Sequence, residues 1–241
     1  VPTFSRASRA NMGLIWCQSK ALGCPQFVRW GFASSRAYGK LAAELKELSG
    51  IDTGYAPTGG IIPCLGEAEL EARAQFIEKL RAETEDGTYP ASVLSRKELE
   101  GMLPKVPFGP EVSGGIWSDM DGYVDPLHLM FAFRKSFVRL GGTLFAGERV
   151  SEVKPSGKGY AVVCGGRTLE CGKAVLAAGL GVRKLAAQLG TDIPVFPNKS
   201  QVMLLERIPA DVLPIPLLGI ARTFGGTVMI GAAHENMGMD R

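Results

Sequence analysis

The stretch Lys173-Ala-Val-Leu-Ala-Ala-Gly-Leu-Gly181 decides the fold class of this chain. It predicts a short apolar strand over 174–177 that runs into two small residues and a glycine. The next segment, Val182-Arg-Lys-Leu-Ala-Ala-Gln-Leu189, has leucines at helical spacing and predicts a helix. Small residues at such a turn let the backbone approach a ligand closely, and a helix N-terminus favours a phosphate. The stretch is typical of an α/β protein, in which this turn either binds a ligand or only connects two elements.

The rest of the chain mixes helical and strand patterns. Two helices have clear N-caps: the capping box Ser95-Arg-Lys-Glu98, and Asp125 followed by Pro126. The helix that Asp125 opens is apolar almost all round, so we expect it to be buried between layers. Helices are predicted over 35–48, 67–83, 96–102, 126–140 and 182–189; strands over 53–63, 143–145, 150–153, 160–164, 174–177, 195–206 and 226–233; and a loop over 104–115.

Alternation of strands and helices is interrupted by hairpin-like strands, so a simple doubly wound sheet is not expected. The pattern predicts a mixed α/β (α+β) fold in which a nucleotide-type domain with a parallel sheet is interleaved with an antiparallel-sheet domain. Asp119-Met-Asp-Gly122 is interpreted as a turn before a helix. It lacks the ligand spacing and closing glutamate of a calcium loop.

Composition excludes several classes of protein. Apolar residues make up 46% of the 241 residues, enough for a substantial core, and a net charge of +3 with scattered basic residues does not favour nucleic acid. No apolar run has the ~20 residues that span a bilayer. The five cysteines form no CxxC pair and predict reduced thiols in a cytosolic protein. With two histidines, His128 and His234, we expect no histidine-rich metal site.

An ordered set of segments carries a family resemblance. The set comprises Ser8-Arg-Ala-Asn-Met-Gly-Leu14, Asp121-Gly-Tyr-Val-Asp-Pro126, Gly141-Gly-Thr-Leu-Phe145 leading through Val150 to Ala177-Ala-Gly179, Phe196-Pro-Asn-Lys-Ser-Gln201 and Gly225-Gly-Thr-Val-Met-Ile-Gly-Ala232. In this order and at these separations, the chain resembles the D-amino-acid oxidase (glycine oxidase and sarcosine oxidase) family of FAD-dependent amine oxidoreductases. The resemblance covers nearly the whole chain.

The chain also departs from that family. The N-terminal GxGxxG and the acidic residue that follows it are absent, and so is the family's C-terminal part. We therefore expect a fragment with an incomplete FAD-binding Rossmann-like domain over 1–50 and 126–194. A substrate-binding domain with an antiparallel sheet is expected over 51–125 and 195–241. Whether this polypeptide retains FAD stays open.

The resemblance implies roles for particular residues. The diphosphate and flavin ring would be lined by Ser8, Arg9, Asn11, Met12 and Gly13. The backbone of Val150 would contact the adenine, and the phosphates and ribose would lie close to Ala177, Ala178 and Gly179. His234 and Arg222 are the candidate substrate-binding residues. No catalytic acid or base is expected, because the flavin itself accepts the electrons.

The implied function is that of an FAD-dependent oxidase or dehydrogenase. It would oxidise the CH–N bond of an amino acid or secondary amine by hydride transfer to flavin N5, and the imine would then hydrolyse. The electron acceptor would be oxygen or a respiratory or protein acceptor, and the location cytoplasmic, with the inner face of the membrane as an alternative. Two other interpretations stay open: a non-catalytic subunit or fragment that binds no flavin, and a nicotinamide-dependent dehydrogenase.

Overall fold

The structure is a computed structural model that describes residues 7–18, 20, 22–84, 87–231 and 235. The chain divides into two compact units. The larger unit contains Ser8–Gly141 and Val202–Ala232, and the smaller contains Val1–Ala7, Gly142–Gln201 and Ala233–Arg241. Each unit is therefore assembled from segments that are distant in sequence.

Five helices and eleven strands are formed by the described residues. In chain order they are β1 (Leu14–Ile15), α1 (Pro25–Ser49), β2 (Gly60–Leu65), α2 (Gly66–Ala82), β3 (Ser92–Ser95), α3 (Arg96–Met102), β4 (Val112–Ser118), β5 (Gly122–Tyr123), α4 (Pro126–Arg139), β6 (Val150–Ser156), β7 (Gly159–Cys164), β8 (Arg167–Cys171), α5 (Val182–Ala187), β9 (Val202–Leu205), β10 (Ile220–Arg222) and β11 (Val228–Gly231). A single 3₁₀ turn, Gly179–Gly181, precedes α5.

The larger unit is built on antiparallel strands. One three-stranded sheet has the order β2-β4-β3 and another the order β10-β11-β9, and an isolated parallel bridge between Ile61 and Leu217 joins them. β1 pairs with β5, so that Leu14 lies opposite Tyr123. This short pairing attaches the N-terminal segment of the unit to the turn before α4.

Two apolar clusters form the core of this unit. On one side of β2 and β4, Ile62 and Ile116 pack with Ile77 and Leu80 from α2. The other cluster centres on Ile61 of β2, together with residues of α3 and of the segment before β10. Neighbouring residues of β2 point to opposite faces of the sheet, and the five side chains named here are at most 2% exposed.

The smaller unit contains an antiparallel meander, β6-β7-β8, whose first two strands are joined by a turn at Gly157. Gln188, directly after α5, connects this helix to the meander. Its Oε1 accepts a hydrogen bond from the Val153 amide at 2.8 Å, and its Nε2 donates to the Ser151 carbonyl at 3.1 Å. These two bonds fix the position of α5 against β6.

Several sequence-based predictions of elements are wrong. Residues 174–177 and 143–145 form no strand. All pairs of named strands in the described part of the chain are antiparallel, so the expected parallel sheet is not formed in that part. An apolar run becomes a strand only where a neighbouring strand supplies its hydrogen bonds, and Val175 is instead 90% exposed. Within the strands predicted over 195–206 and 226–233, the described residues form only the shorter strands β9 and β11. The predicted loop at 104–115 contains the start of β4.

The predicted burial of α4 is also wrong. Among its residues only Ala132 and Ser136 are buried, while Phe133 and Phe137 are each nearly half exposed. The helix packs on α1, and its phenylalanines remain exposed. None of the helices in the described part of the chain combines the length and apolar composition that crossing a bilayer requires.

Candidate functional site

A cavity of about 360 Å³ lies beside β1 in the larger unit, and we call it the β1 cavity. Its volume is within the range of small-molecule sites, roughly 300–1,000 Å³. One wall is the segment around β1, a second is the first half of α1, and the start of α4 forms a third. The lining includes Ser8, Asn11, Gly13, Trp16, Cys17, Ser34 and Tyr38.

The backbone at Gly13 shapes the entrance to β1. Its φ is 68°, in the left-handed region, and its amide donates to Asn11 Oδ1 at 2.9 Å. Its carbonyl accepts from the Val124 amide, also at 2.9 Å. A Cβ atom at this position would lie 2.0 Å from the Val124 carbonyl oxygen. Only glycine therefore allows this segment to lie so close to the chain before α4.

The end of the same wall is held by a buried carboxylate. Asp121, which is 1% exposed, accepts hydrogen bonds from the amides of Cys17 at 2.6 Å and Gln18 at 3.4 Å through Oδ1. Its Oδ2 accepts from Gln18 Nε2 at 2.7 Å. Burial raises the pKa of Asp121 to about 6, although these hydrogen bonds act to lower it. Sequence reasoning missed this role, because the local pattern Asp119-Met-Asp-Gly122 indicates only a turn before a helix.

The Cys17 thiol lies on this wall and is not set up as a nucleophile. Its Sγ donates to the Gly31 carbonyl of α1 at 3.5 Å. Burial raises its pKa, and the nearby Asp121 charge acts in the same direction. The protonated thiol is therefore the form that packs here.

A second cavity, of about 250 Å³, lies beside Arg222 and is called the Arg222 cavity. Apolar residues such as Leu213, Pro214 and Phe224 form most of its lining. Arg222 Nη1 donates to the carbonyl oxygens of Ile208 at 2.9 Å and Pro209 at 3.1 Å. The guanidinium group thus fixes the loop before the cavity while the residue also lines it.

Tyr123 contributes a buried hydroxyl group to the wall of the Arg222 cavity. The residue is 5% exposed, and its Oη makes no hydrogen bond of ordinary geometry to the described residues. Burial, with a contribution from the Asp125 charge, raises its pKa to about 12. Tyr123 therefore remains a neutral hydroxyl.

The five residues predicted to line the diphosphate and the flavin ring are distributed as follows. Ser8, Asn11 and Gly13 line the β1 cavity. Arg9 is half-buried and Met12 packs on the core cluster that contains Tyr123, and neither is part of that lining. The structure thus brings three of the five together, and their role toward a cofactor stays a prediction.

The residues predicted for the adenosine side lie in the smaller unit. Val150 is half-buried and starts β6, opposite Cys164. Ala177, Ala178 and Gly179 are exposed, and Gly179 has a φ of 55° with no atom within 4 Å of a Cβ built on it. An exposed backbone without bulky side chains leaves room for a ligand. The remaining candidate, His234, lies outside the described residues.

Comparison with known proteins gives the family. Residues 2–241 match the family model described as FAD dependent oxidoreductase (DAO). The chain belongs to the DAO family of FAD-dependent oxidoreductases. The resemblance inferred from the sequence is thereby confirmed, and the match favours flavin over the nicotinamide alternative.

Opine oxidase subunits of two bacteria are among the relatives of this DAO-family chain. The subunit from Agrobacterium tumefaciens (strain Ach5) is 34% identical and that from Rhizobium meliloti 32% identical, each over 231 residues. The alignment covers 95% of this chain and 61% of each relative. Glycine oxidase of Geobacillus kaustophilus (strain HTA426) is 25% identical over 242 residues, covering 98% of this chain and 63% of the relative.

A solved structure supports the fold. The glycine oxidase from Geobacillus kaustophilus superposes with a TM-score of 0.87 at 25% identity, covering 98% of this chain and 63% of that one. The mixed α/β fold with an antiparallel-sheet part is therefore confirmed. The chain spans less than two thirds of the length of these relatives.

The β1 cavity has the chemistry that part of a flavin nucleotide requires. Ser8 and Asn11 offer a hydroxyl group and an amide, and Gly13 leaves no side chain in the way. Ile15 gives apolar surface and the Trp16 indole a flat one. Polar groups of this kind suit a polyhydroxyl chain, and the apolar surface suits a planar ring. The residues present therefore fit the cofactor of the family.

Proposed function

We propose that this protein is an FAD-dependent oxidoreductase that oxidises the CH–N bond of an amino acid or a secondary amine. The observation that carries the proposal is the similarity over 95% of the chain to two opine oxidase subunits at 32–34% identity. Similarity to glycine oxidase supports the same bond as the target. Bound FAD would supply the acceptor, at flavin N5, for the hydride that leaves the carbon next to nitrogen, and water would hydrolyse the resulting imine.

In this proposal the β1 cavity holds the flavin end of the cofactor. Ser8 and Asn11 bind the polar part, and the backbone of Gly13 flanks the ring. Arg9 and Met12 do not line the cavity and are proposed as cofactor contacts from the family resemblance alone. Trp16 is half-buried in the same wall, and its indole limits access of water to the cavity. Excluding water preserves the short contact that hydride transfer needs.

Contacts to the adenosine part of FAD are proposed from the family resemblance. Val150 would contact the adenine through backbone atoms only. This contact is compatible with its place at the start of β6, because its side chain can still pack in the meander. The open turn Ala177-Ala-Gly179 would lie along the phosphates, because its backbone is accessible. The FAD-binding domain would thus comprise 1–50 and 126–194, and the substrate-binding domain 51–125 and 195–241.

Arg222 and His234 are the proposed substrate-binding residues. One guanidinium nitrogen of Arg222 donates hydrogen bonds to backbone carbonyl oxygens of the preceding loop. Arg222 also lines a mainly apolar cavity, and this position suits a small carboxylate with an apolar body. Because the loop contacts hold the guanidinium group in place, it would bind a carboxylate without first being ordered. His234 follows β11 in sequence and is proposed from the family resemblance.

A cytoplasmic location is proposed from the thiols. All five cysteines are free, as expected in a reducing compartment. Oxygen and a respiratory or protein acceptor remain the two candidates for the electron acceptor. The inner face of the membrane is the alternative location, and it is the one expected if the electron acceptor is respiratory.

A second candidate function is a non-catalytic subunit that binds no flavin. The relatives from Agrobacterium tumefaciens and Rhizobium meliloti favour it, because each is named as one subunit of an opine oxidase. In an enzyme of several subunits, flavin binding and catalysis can belong to a partner chain. The two candidates differ in one observable, the binding of FAD.

The test is the visible absorption spectrum of the purified protein after incubation with FAD and removal of the excess. A retained flavin band that bleaches anaerobically with an opine, glycine or another amine supports the proposed activity. The Arg222→Lys variant is expected to raise KM for a carboxylated amine and leave the flavin band unchanged. A protein that retains no flavin under any condition contradicts the proposal and leaves the non-catalytic subunit.

A further inference from the structure

Asp121 lies at a junction that the proposed activity does not use directly. Its carboxylate connects the turn before β5 to the residues after β1, and it accepts from the two backbone amides of Cys17 and Gln18. Gln18 is completely buried, and its Nε2 donates both to Asp121 Oδ2 at 2.7 Å and to the Gly60 carbonyl of β2 at 2.9 Å. The last residues of the β1 cavity wall are therefore held by the Asp121 carboxylate and, through the Gln18 side chain that this carboxylate orients, by the Gly60 carbonyl of β2.

Every described group that points at this carboxylate is a hydrogen-bond donor. Cys17 and Gln18 offer backbone N–H groups, and the Gln18 side chain offers its amide nitrogen. Gln18 Oε1 has no hydrogen-bond partner among the described residues. Turning the amide over would place that oxygen against two acceptors, the carboxylate and the Gly60 carbonyl. The arrangement therefore suits the ionised form of Asp121.

We propose that the ionised Asp121 carboxylate is a positioning residue for the β1 cavity, and that its protonation releases the Cys17–Gln18 end of the cavity wall. This inference rests on the proposed function for its consequence, which is pH-dependent FAD binding. Asp121 acts through the backbone of Cys17 and Gln18 and does not line the cavity itself.

Protonation changes the bonding in a definite way. A proton on Oδ2 faces the Gln18 amide nitrogen, so that two donors oppose each other. Rotation of the Gln18 amide relieves this opposition because Oε1 then accepts from the Asp121 hydroxyl. The same rotation turns Oε1 toward the Gly60 carbonyl, and the bond from Nε2 to that carbonyl is lost. The wall then loses its hydrogen bond to Gly60 of β2, and Trp16, which lies beside Gly60, is the side chain expected to respond.

Few charged or titratable groups among the described residues lie near Asp121. Lys20 is the nearby cation that favours its ionised form. The Cys17 thiol stays protonated, and Arg36 of α1 acts on that thiol. The Tyr89 hydroxyl donates to the Cys17 carbonyl at 3.0 Å. Since burial places the pKa of Asp121 at about 6, acidification from neutral pH protonates this carboxylate ahead of ordinary surface carboxylates.

The test follows the wall directly by NMR in the protein without added cofactor. Amide signals of Cys17 and Gln18 and the indole signal of Trp16 are recorded across the acidic to neutral range. We expect all three to titrate together with a midpoint near the Asp121 pKa, about 6. The Asp121→Asn variant should lose this transition, and the exposed neighbour Asp119 provides the matched control, Asp119→Asn, which should keep it.

A second arm measures the dissociation constant for FAD at the two ends of the same pH range. In the wild type and in Asp119→Asn, we expect the dissociation constant to be about tenfold higher at the acidic end, which corresponds to about 1.4 kcal/mol. In Asp121→Asn, we expect it to be independent of pH. Signals that do not titrate, or that titrate equally in Asp121→Asn, overturn the inference. A titrating wall with FAD affinity independent of pH overturns its cofactor part. Absence of FAD binding in all variants at all pH values counts against the proposed function, and the NMR arm still decides whether Asp121 positions the wall.

Discussion

Gly13 lies where the chain turns into β1, with a φ of 68°, and a Cβ atom there would lie 2.0 Å from the Val124 carbonyl oxygen. We expect Gly13→Ala to lower the free energy of unfolding by roughly 2–4 kcal/mol, the sum of left-handed strain and steric overlap. Gly50 is the matched control, because its φ is 71° and nothing lies within 4 Å of a Cβ built on it. Gly50→Ala should therefore lose only about 1 kcal/mol, from strain alone. Urea denaturation followed by circular dichroism measures both, and equal losses would contradict the steric argument.

The stability of the protein should depend on pH through Asp121. Burial raises its folded-state pKa to about 6, above its ordinary value of 3.8, so the folded protein binds this proton more tightly than the unfolded chain. Its contribution to the free energy of unfolding is therefore greatest in acid and declines as the pH rises from 3.8 to about 6. The size of the decline is on the order of 3 kcal/mol.

Subtracting the Asp121→Asn curve from the wild-type curve isolates this contribution. We expect the difference in the free energy of unfolding, measured by urea titration at several pH values, to fall with rising pH and level off above the Asp121 pKa. The sign is opposite to that expected for FAD affinity, which weakens in acid. A purely structural carboxylate would move stability and leave affinity unaffected. Parallel wild-type and variant curves would show that Asp121 is not the titrating group.

Asp121 also shows what the sequence could and could not predict at this scale. The stretch Asp119-Met-Asp-Gly122, interpreted as a turn before a helix, contains a turn at 119–120, but its Gly122 starts β5 and α4 begins only after that strand. The burial of the carboxylate depends on Cys17 and Gln18, more than one hundred positions earlier. Contacts over such a separation come from tertiary folding and leave no local pattern.

At the scale of elements, the N-cap of α4 follows from the sequence and is confirmed. Asp125 Oδ1 accepts from the amides of Leu127 at 2.9 Å and His128 at 2.8 Å. We expect Asp125→Ala to lower the free energy of unfolding by about 1 kcal/mol, because two amides in the first turn lose their acceptor. Asp125→Asn retains an acceptor oxygen and should lose much less. Thermal unfolding of the two variants side by side checks this, and equal losses would show that the cap is not the cause.

Strands are harder to predict here than helices, and β4 shows the reason. Gly114 and Gly115 make its sequence look like a loop, yet they lie in the central strand of the β2-β4-β3 sheet. A Cβ at Gly114 would lie 2.3 Å from the Leu94 carbonyl oxygen, so close strand packing requires glycine there. Residues 174–177 show the converse, since their apolar run lacks a partner strand among the described residues. Helices make their own hydrogen bonds, whereas strands depend on partners elsewhere in the chain.

At the scale of the whole molecule, several aromatic side chains on helix surfaces are exposed. On α4, Phe133 is 46% and Phe137 is 49% exposed, and Trp30 of α1 is 73% exposed. Contiguous exposed apolar surface favours association because contact between molecules removes it from water. We expect the purified chain to self-associate with rising concentration in sedimentation velocity experiments.

Replacing the two phenylalanines together tests whether this surface is the cause. Phe133 and Phe137 are one helical turn apart, so Phe133→Ser with Phe137→Ser removes adjacent apolar surface. The double variant should associate more weakly, while its free energy of unfolding changes by about 1 kcal/mol or less because the rings are already half in water. Phe32 provides the contrast: it is 8% exposed and packs on Tyr89 with ring centroids 5.3 Å apart. Phe32→Ala should lose about 3–5 kcal/mol of stability, as expected for a core ring. If the double variant associates as strongly as the wild type, the exposed face of α4 is not what drives association.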